Sequence, residues 1–105
     1  MTTLLFKNMV FEKGRTNVTI RKGTKWDGER GEVTIREANG IRLLKGEIID
    51  THVMRLCDIP MIILSLGHDP TCRDLAGLFA GMNEVYPCIY WEEIVTAVLF
   101  NIKED

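Results

Sequence analysis

Residues Asn17-Val18-Thr19-Ile20-Arg21 alternate polar and apolar side chains, and the same period of two returns from Gly31 to Glu37 through Val33 and Ile35. Alternation rich in β-branched residues predicts two strands. In the first, Val18 and Ile20 share one face, and Asn17, Thr19 and Arg21 share the other. Upstream, Leu4-Leu5-Phe6 predicts a short first strand, and Met9-Val10-Phe11 a helical turn or a further short strand. Lys13-Gly14-Arg15 breaks the pattern. Residues 23–31 form a polar loop that holds Trp26 and the turn dipeptide Asp27-Gly28. Asn39-Gly40 is a hairpin signal, joining the second alternating strand to one that begins at Ile41-Arg42-Leu43. Gly46 is expected to interrupt that strand, with residues 47–54 continuing as another.

The second half changes period. Asp58-Ile59-Pro60 predicts a short helix over about 59–66 that Gly67 ends. Asp69-Pro70 offers a cap followed by a proline at the first helical position. Leu75, Leu78, Phe79, Met82 and Val85 then form one apolar stripe, which predicts the main helix over about 70–85, stopped by Pro87. Gly77 and Gly81 each weaken that helix by roughly 1 kcal/mol relative to Ala, and mark close packing on another element. Residues 94–102 are apolar on both faces, as in a strand buried on both sides. Tyr86, Tyr90 and Trp91 are expected to pack beside it. Several short strands with few helices predict an α+β domain built on a small mixed β-barrel or strongly curved sheet.

Composition narrows this to one domain. The chain has 105 residues, 46% hydrophobic and 27% charged, with no repeat, linker or low-complexity tract. No apolar stretch reaches the roughly 18–20 residues of a membrane span. The start, Met1 to Lys7, lacks the basic and long apolar regions of a signal peptide, so a cytoplasmic location is expected. Cys57, Cys72 and Cys88 read as three reduced thiols, and Cys72 as a structural one. His52 and His68 stand 16 residues apart, far from the spacing of a zinc site, so neither metal nor cofactor is expected. His68 reads as a loop or capping residue.

Charge changes the picture more. Residues 1–55 hold eleven Lys or Arg against seven acids, a net +4, and residues 56–105 hold two against eight, a net −6. The near-neutral total of −2 therefore hides a dipolar sequence. The run from Lys13 to Trp26 carries Lys13, Arg15, Arg21, Lys22 and Lys25 and no acid. Threonine hydroxyls and a guanidinium suit phosphate or base-edge contacts. Trp26 either packs at the core or rim, or gives an unpaired base a stacking face.

The segment Gly14-Arg15-Thr16-Asn17-Val18-Thr19-Ile20-Arg21 resembles the G-x-K-T-x-T-x-R run of the ASCH domain, a small PUA-related β-barrel family linked to RNA. Gly31-Glu32-Val33 matches its following G-[DE]-V strand, and Val85-Tyr86-Pro87 the Tyr-Pro pair before its last strand. The resemblance spans nearly the whole chain in order and implies that residues 1–105 are a single ASCH-like domain. It implies a PUA-like barrel whose cleft, lined by the motif strand and the helix, takes single-stranded RNA or a modified nucleoside. Some similar proteins are amidohydrolases of N-acetylated cytidine nucleosides, using a Lys and a Thr of the motif with a downstream Glu, and others are reported as ribonucleases. Thr19 falls on the family's Thr, Thr16 stands where the family has Lys, and Asp69 and Asp74 are the nearest downstream carboxylates.

Three functions follow as expectations. One is an RNA-binding module using Arg15, Thr16, Thr19, Arg21, Lys22, Lys25 and Trp26. The second is a hydrolase on a modified nucleoside or RNA, with Thr19 and Asp69 as catalytic candidates. The third is a protein-interaction module using the acidic second half. The sequence leaves the oligomeric state open.

Overall fold

The computed structural model describes residues 2–7 and 9–103; Met1, Asn8, Glu104 and Asp105 lie outside that description. Its strands are β1 (Thr2–Phe6), β2 (Asn17–Lys22), β3 (Gly31–Glu37), β4 (Leu43–Arg55) and β5 (Ile94–Lys103), in one sheet of order β1-β3-β4-β5-β2. β1 runs parallel to β3, and the other neighbours are antiparallel. Two α-helices, α1 (Met61–Ser65) and α2 (Leu75–Val85), fall between β4 and β5.

The sheet curls. Strands spaced about 4.8 Å apart would put the two edges of a flat five-stranded sheet roughly 19 Å from each other. Instead the guanidinium carbon of Arg21, on edge strand β2, lies 4.6 Å from the centre of the Phe6 ring on edge strand β1. Phe6 also reaches Phe100 of β5 at 5.6 Å. The result is a half-barrel in a small α+β domain. Its concave interior is filled by Leu4, Phe6, Val33, Ile35, Ile48 and Phe100, with Trp26 among them. A second core, built around Leu56, Leu64, Leu78, Met82 and Val95, joins the helices to the other face of the sheet.

The alternation on β2 holds, but both of its faces are covered. Opposed residues in an antiparallel pair share a face. Asn17 lies opposite Phe100, Thr19 opposite Val98 and Arg21 opposite Thr96, so the polar face turns into the barrel. Asn17 is fully buried there: its side-chain amide donates to the Glu12 and Arg15 carbonyls, and its oxygen accepts from Glu12 N–H. Ile20 joins the helix-side core. β5 is buried on both sides, as its apolar pattern predicts: Val95, Thr96, Ala97 and Val98 are all buried.

Some boundaries differ from the sequence reading. Met9 to Phe11 form no regular element, and Met9 and Phe11 pack on the interior core. Gly46 does not interrupt a strand. β4 runs from Leu43 to Arg55, with its one irregularity between Ile48 and Asp50. A Cβ at Gly46 would sit 2.7 Å from Ile35 Cδ1 and 3.0 Å from the Asn101 carbonyl oxygen, so glycine lets the two neighbouring strands close on β4. The Asn39-Gly40 turn joins β3 to β4 as expected, but pairing resumes at Leu43 rather than Ile41.

The main helix starts later than Pro70 because the chain caps twice. Asp69 accepts from Thr71 N–H at 2.9 Å and supports only a 3-10 turn, Pro70–Cys72. Asp74 then accepts from Gly77 N–H at 2.7 Å and starts α2. A side chain at Gly77 would run into the Thr71 carbonyl oxygen, which accounts for the glycine. The shorter helix is trimmed to α1, and residues 56–58 before it form a 3-10 turn. Among the described residues no helix is long and apolar enough to cross a membrane.

Candidate functional site: a cavity in the gap of the half-barrel

β1 and β2 do not pair, and the gap between them is roofed by the end of α1, residues 67–69 and α2. A cavity of about 580 Å³ lies there. That is within the roughly 300–1,000 Å³ of small-molecule sites. Phe6, Val18, Leu64, Leu78 and Met82 give it apolar walls, and Thr19, Arg21, His68 and Asp69 are its main polar groups. Lys7 and Glu84 also line it; both are largely exposed and meet at 3.6 Å, which puts them at the mouth.

Arg21 is the unusual group. Burial pushes its pKa down to about 10, partly offset by the Tyr86 oxygen, so it stays protonated at neutral pH. Its Nε is buried with no hydrogen-bond partner. The face of Phe6 gives the cation a favourable but undirected contact. The other arginine of this region shows the alternative. Arg73 Nη2 is also buried without a hydrogen bond, but it lies 3.2 Å from a Glu12 carboxylate oxygen, and its Nε donates to the Gly67 carbonyl. Holding an ion away from water costs several kcal/mol, and among the described residues no carboxylate pairs with Arg21 to offset it.

His68 sits beside it. Its Nδ1 lies 2.8 Å from the Val10 carbonyl oxygen. That carbonyl only accepts, so Nδ1 carries the proton and Nε2 keeps its lone pair. The imidazole meets Phe6 edge-on at 4.9 Å and lies against Phe11 at 5.3 Å. Burial pushes its pKa below the ordinary histidine value. The Val10 carbonyl and Asp69 oppose that shift, and Arg21 and Arg73 add to it. The ring is therefore neutral at pH 7, an acceptor rather than a second cation.

The cavity gathers only part of the predicted site. Thr19, buried, lines it with Arg21 and Asp69. Asp69 also binds the hydroxyl of Thr71 at 2.8 Å, so one of its oxygens is committed to the local turn. The remaining basic candidates are dispersed. Arg15 Nη1 donates to the carbonyls of Thr16 at 2.8 Å and Leu66 at 3.4 Å, bracing the entry of β2 against the end of α1. Thr16 is half-buried and lies outside the cavity lining. Lys22 points to the helix side, 3.9 Å from Glu93 and 5.8 Å from the centre of the Tyr86 ring. Lys25 is exposed on the loop after β2.

Trp26 is buried in the interior core, so the packing reading of this residue is the one the fold uses. Its loop is tied down by Thr51, whose hydroxyl accepts from Gly28 N–H and Arg30 Nη1, both at 2.9 Å.

His68, Lys7 and Glu84 line the cavity and are not among the site residues that the sequence predicts. His68 arrives through backbone pairing with β2, where Val18 N–H donates to Leu66 O at 2.8 Å and His68 N–H donates to Val18 O at 3.1 Å. No local pattern announces that bridge. Cys72 also lines the cavity, and burial raises its thiol pKa, so it stays protonated. All three cysteines are free thiols. Among the described residues no cluster of His, Cys, Asp or Glu has the arrangement of a metal site. Five acids of the second half are engaged within the chain: Asp58 with Arg55, Glu84 with Lys7, Glu93 with Lys22, and Asp69 and Asp74 as caps, while Glu92 is exposed. Glu104 and Asp105, which contribute to the acidic count, lie outside the described residues.

Fold and site together define a small α+β domain whose open barrel holds a ligand-sized cavity lined by an arginine with a buried, unpartnered Nε. No family model, curated protein or solved structure matches the chain.

Proposed function

We propose that this chain is an ASCH-like, PUA-related domain that binds single-stranded RNA by seating one unstacked nucleotide in the cavity. Arg21 meets a phosphate oxygen, the Thr19 hydroxyl gives a second polar contact, and the neutral His68 offers Nε2 as an acceptor to a base or sugar donor. The observation that carries this reading is Arg21, which lines a ligand-sized cavity with its Nε buried and without a hydrogen-bond partner, and which pairs with no carboxylate among the described residues. Charge-assisted hydrogen bonds from arginine to phosphate are among the strongest such contacts, and sequence-specific RNA recognition commonly takes unstacked single-stranded bases into pockets. Affinity for a short single-stranded RNA, measured at low salt by fluorescence anisotropy, tests it. The wild type is expected to bind and Arg21→Met to lose at least about tenfold, the worth of one charged hydrogen bond of roughly 1.5–3 kcal/mol. Absence of wild-type binding at low salt, or equal affinity of the variant, overturns the reading.

A second reading is hydrolysis of an N-acetylated cytidine-type nucleoside. One observation favours it: Lys7 and Glu84 meet at the mouth of the cavity that holds Thr19. These are the three residue types the family resemblance implies, here drawn partly from other places in the chain. Incubation with acetylated cytidine, and separately with single-stranded RNA, followed by product analysis decides it. Turnover that disappears in Thr19→Ala supports hydrolysis, and no turnover above that variant removes it.

A further inference from the structure

A second concavity, about 670 Å³, lies on the other side of the segment that links β1 to β2. Its floor is apolar, with Met9, Leu44 and Ile102, and its cations are Lys13, Arg42, Lys45 and Lys103; among the described residues no carboxylate lines it. These cations come from three separate parts of the chain, and two of them, Lys45 and Lys103, are opposed in the pairing of β4 with β5. Lys103 is held by the exposed Glu32 at 3.0 Å. Arg42 and Lys45 are exposed and have no carboxylate within ion-pair distance among the described residues. The two concavities share a wall. Phe6 lines the first, Phe11 lines the second, and their rings meet edge to face at 5.0 Å.

We infer that this basic groove binds backbone phosphates of the same RNA strand whose nucleotide occupies the cavity, an inference that rests on the RNA reading above. Charge complementarity selects the occupant. Exposed Arg42 and Lys45 beside an apolar floor suit a polyanion whose charges repeat along its length and whose bases and sugars cover carbon surface. Phosphate contacts of this kind fix position without reading sequence. The cavity then supplies selectivity and the groove supplies length-dependent, salt-sensitive affinity.

The test uses the full chain with two probes, uridine monophosphate and a five-nucleotide oligouridylate, against the wild type and an Arg42→Gln/Lys45→Gln double variant. Both positions are exposed, so an unchanged melting temperature serves as the folding control. The oligonucleotide is expected to bind the wild type more tightly than the monophosphate. The double variant is expected to lose at least about fivefold for the oligonucleotide. Its salt slope should fall by about 1.4, for two phosphate contacts at roughly 0.7 each. Its monophosphate affinity should be unchanged. Oligonucleotide affinity and slope that are identical in the two proteins, with the monophosphate still bound, overturn the groove and leave the cavity reading intact. Oligonucleotide binding that the double variant loses, with no monophosphate binding to the wild type, upholds the groove and overturns the cavity reading. An acidic peptide of equal charge that competes as well as the oligonucleotide overturns the assignment to nucleic acid.

Discussion

Arg21 and Arg73 are both drawn into the fold, and they differ in what compensates their charge. Arg73 has Glu12 and a backbone carbonyl; Arg21 has an aromatic face and an open cavity. A cation retained without an internal counterion is poor for stability, because an apolar side chain of similar shape avoids the desolvation cost. Arg21→Met is therefore expected to raise stability by about 1–2 kcal/mol while weakening RNA binding, with thermal unfolding as the check. A loss of more than about 1 kcal/mol would show instead that Arg21 holds the barrel together. His68 gives a second prediction. Its folded pKa is depressed, so the unfolded chain binds a proton more readily. The stability this group contributes is fully present above about 6.5, and is lost as pH falls through that value toward the lower folded one. Melting temperatures between pH 7.5 and 5 are expected to fall less steeply in His68→Phe than in the wild type. Parallel profiles would contradict it.

Among the elements, Gly46 and the caps of α2 are the most exposed to test. Gly46→Ala places a methyl against Ile35 and the Asn101 carbonyl, and is expected to cost about 1–3 kcal/mol by overpacking. Asp74→Ala removes the cap of α2 and is expected to cost about 1 kcal/mol, measured by denaturant unfolding, with the fold retained. The strands were largely legible. β2, β3, β5 and the Asn39-Gly40 turn fall where alternation and turn chemistry put them, because both signals are local. What alternation cannot carry is which face meets the interior. It groups Asn17, Thr19 and Arg21 together, but this group turns inward onto Phe6 and Phe100, which are far away in the chain. α2 starts later than its apolar stripe predicts for a local reason: two aspartates five residues apart both cap, and only the second begins an α-helix.

For the whole molecule, the +4 and −6 halves of the sequence do not become a basic and an acidic face. Ion pairs cross between them, Lys7 to Glu84, Lys22 to Glu93 and Arg73 to Glu12. The run from Lys13 to Trp26 disperses into a brace, an inward cation, a helix-side lysine and a core tryptophan. Two sites replace it, and neither is visible in local sequence. The cavity is made where β1, β2, the Gly67 bridge and α2 converge, and the basic groove where the β1–β2 link meets β4 and β5. Nuclear magnetic resonance titration with uridine and with uridine monophosphate tests the central claim most directly. The expected result is that amide shifts centre on Thr19, Arg21 and His68, and that the monophosphate binds at least about tenfold more tightly than the nucleoside, an advantage abolished in Arg21→Met. Equal affinity for the two ligands, or shifts that leave these residues unmoved, would contradict it.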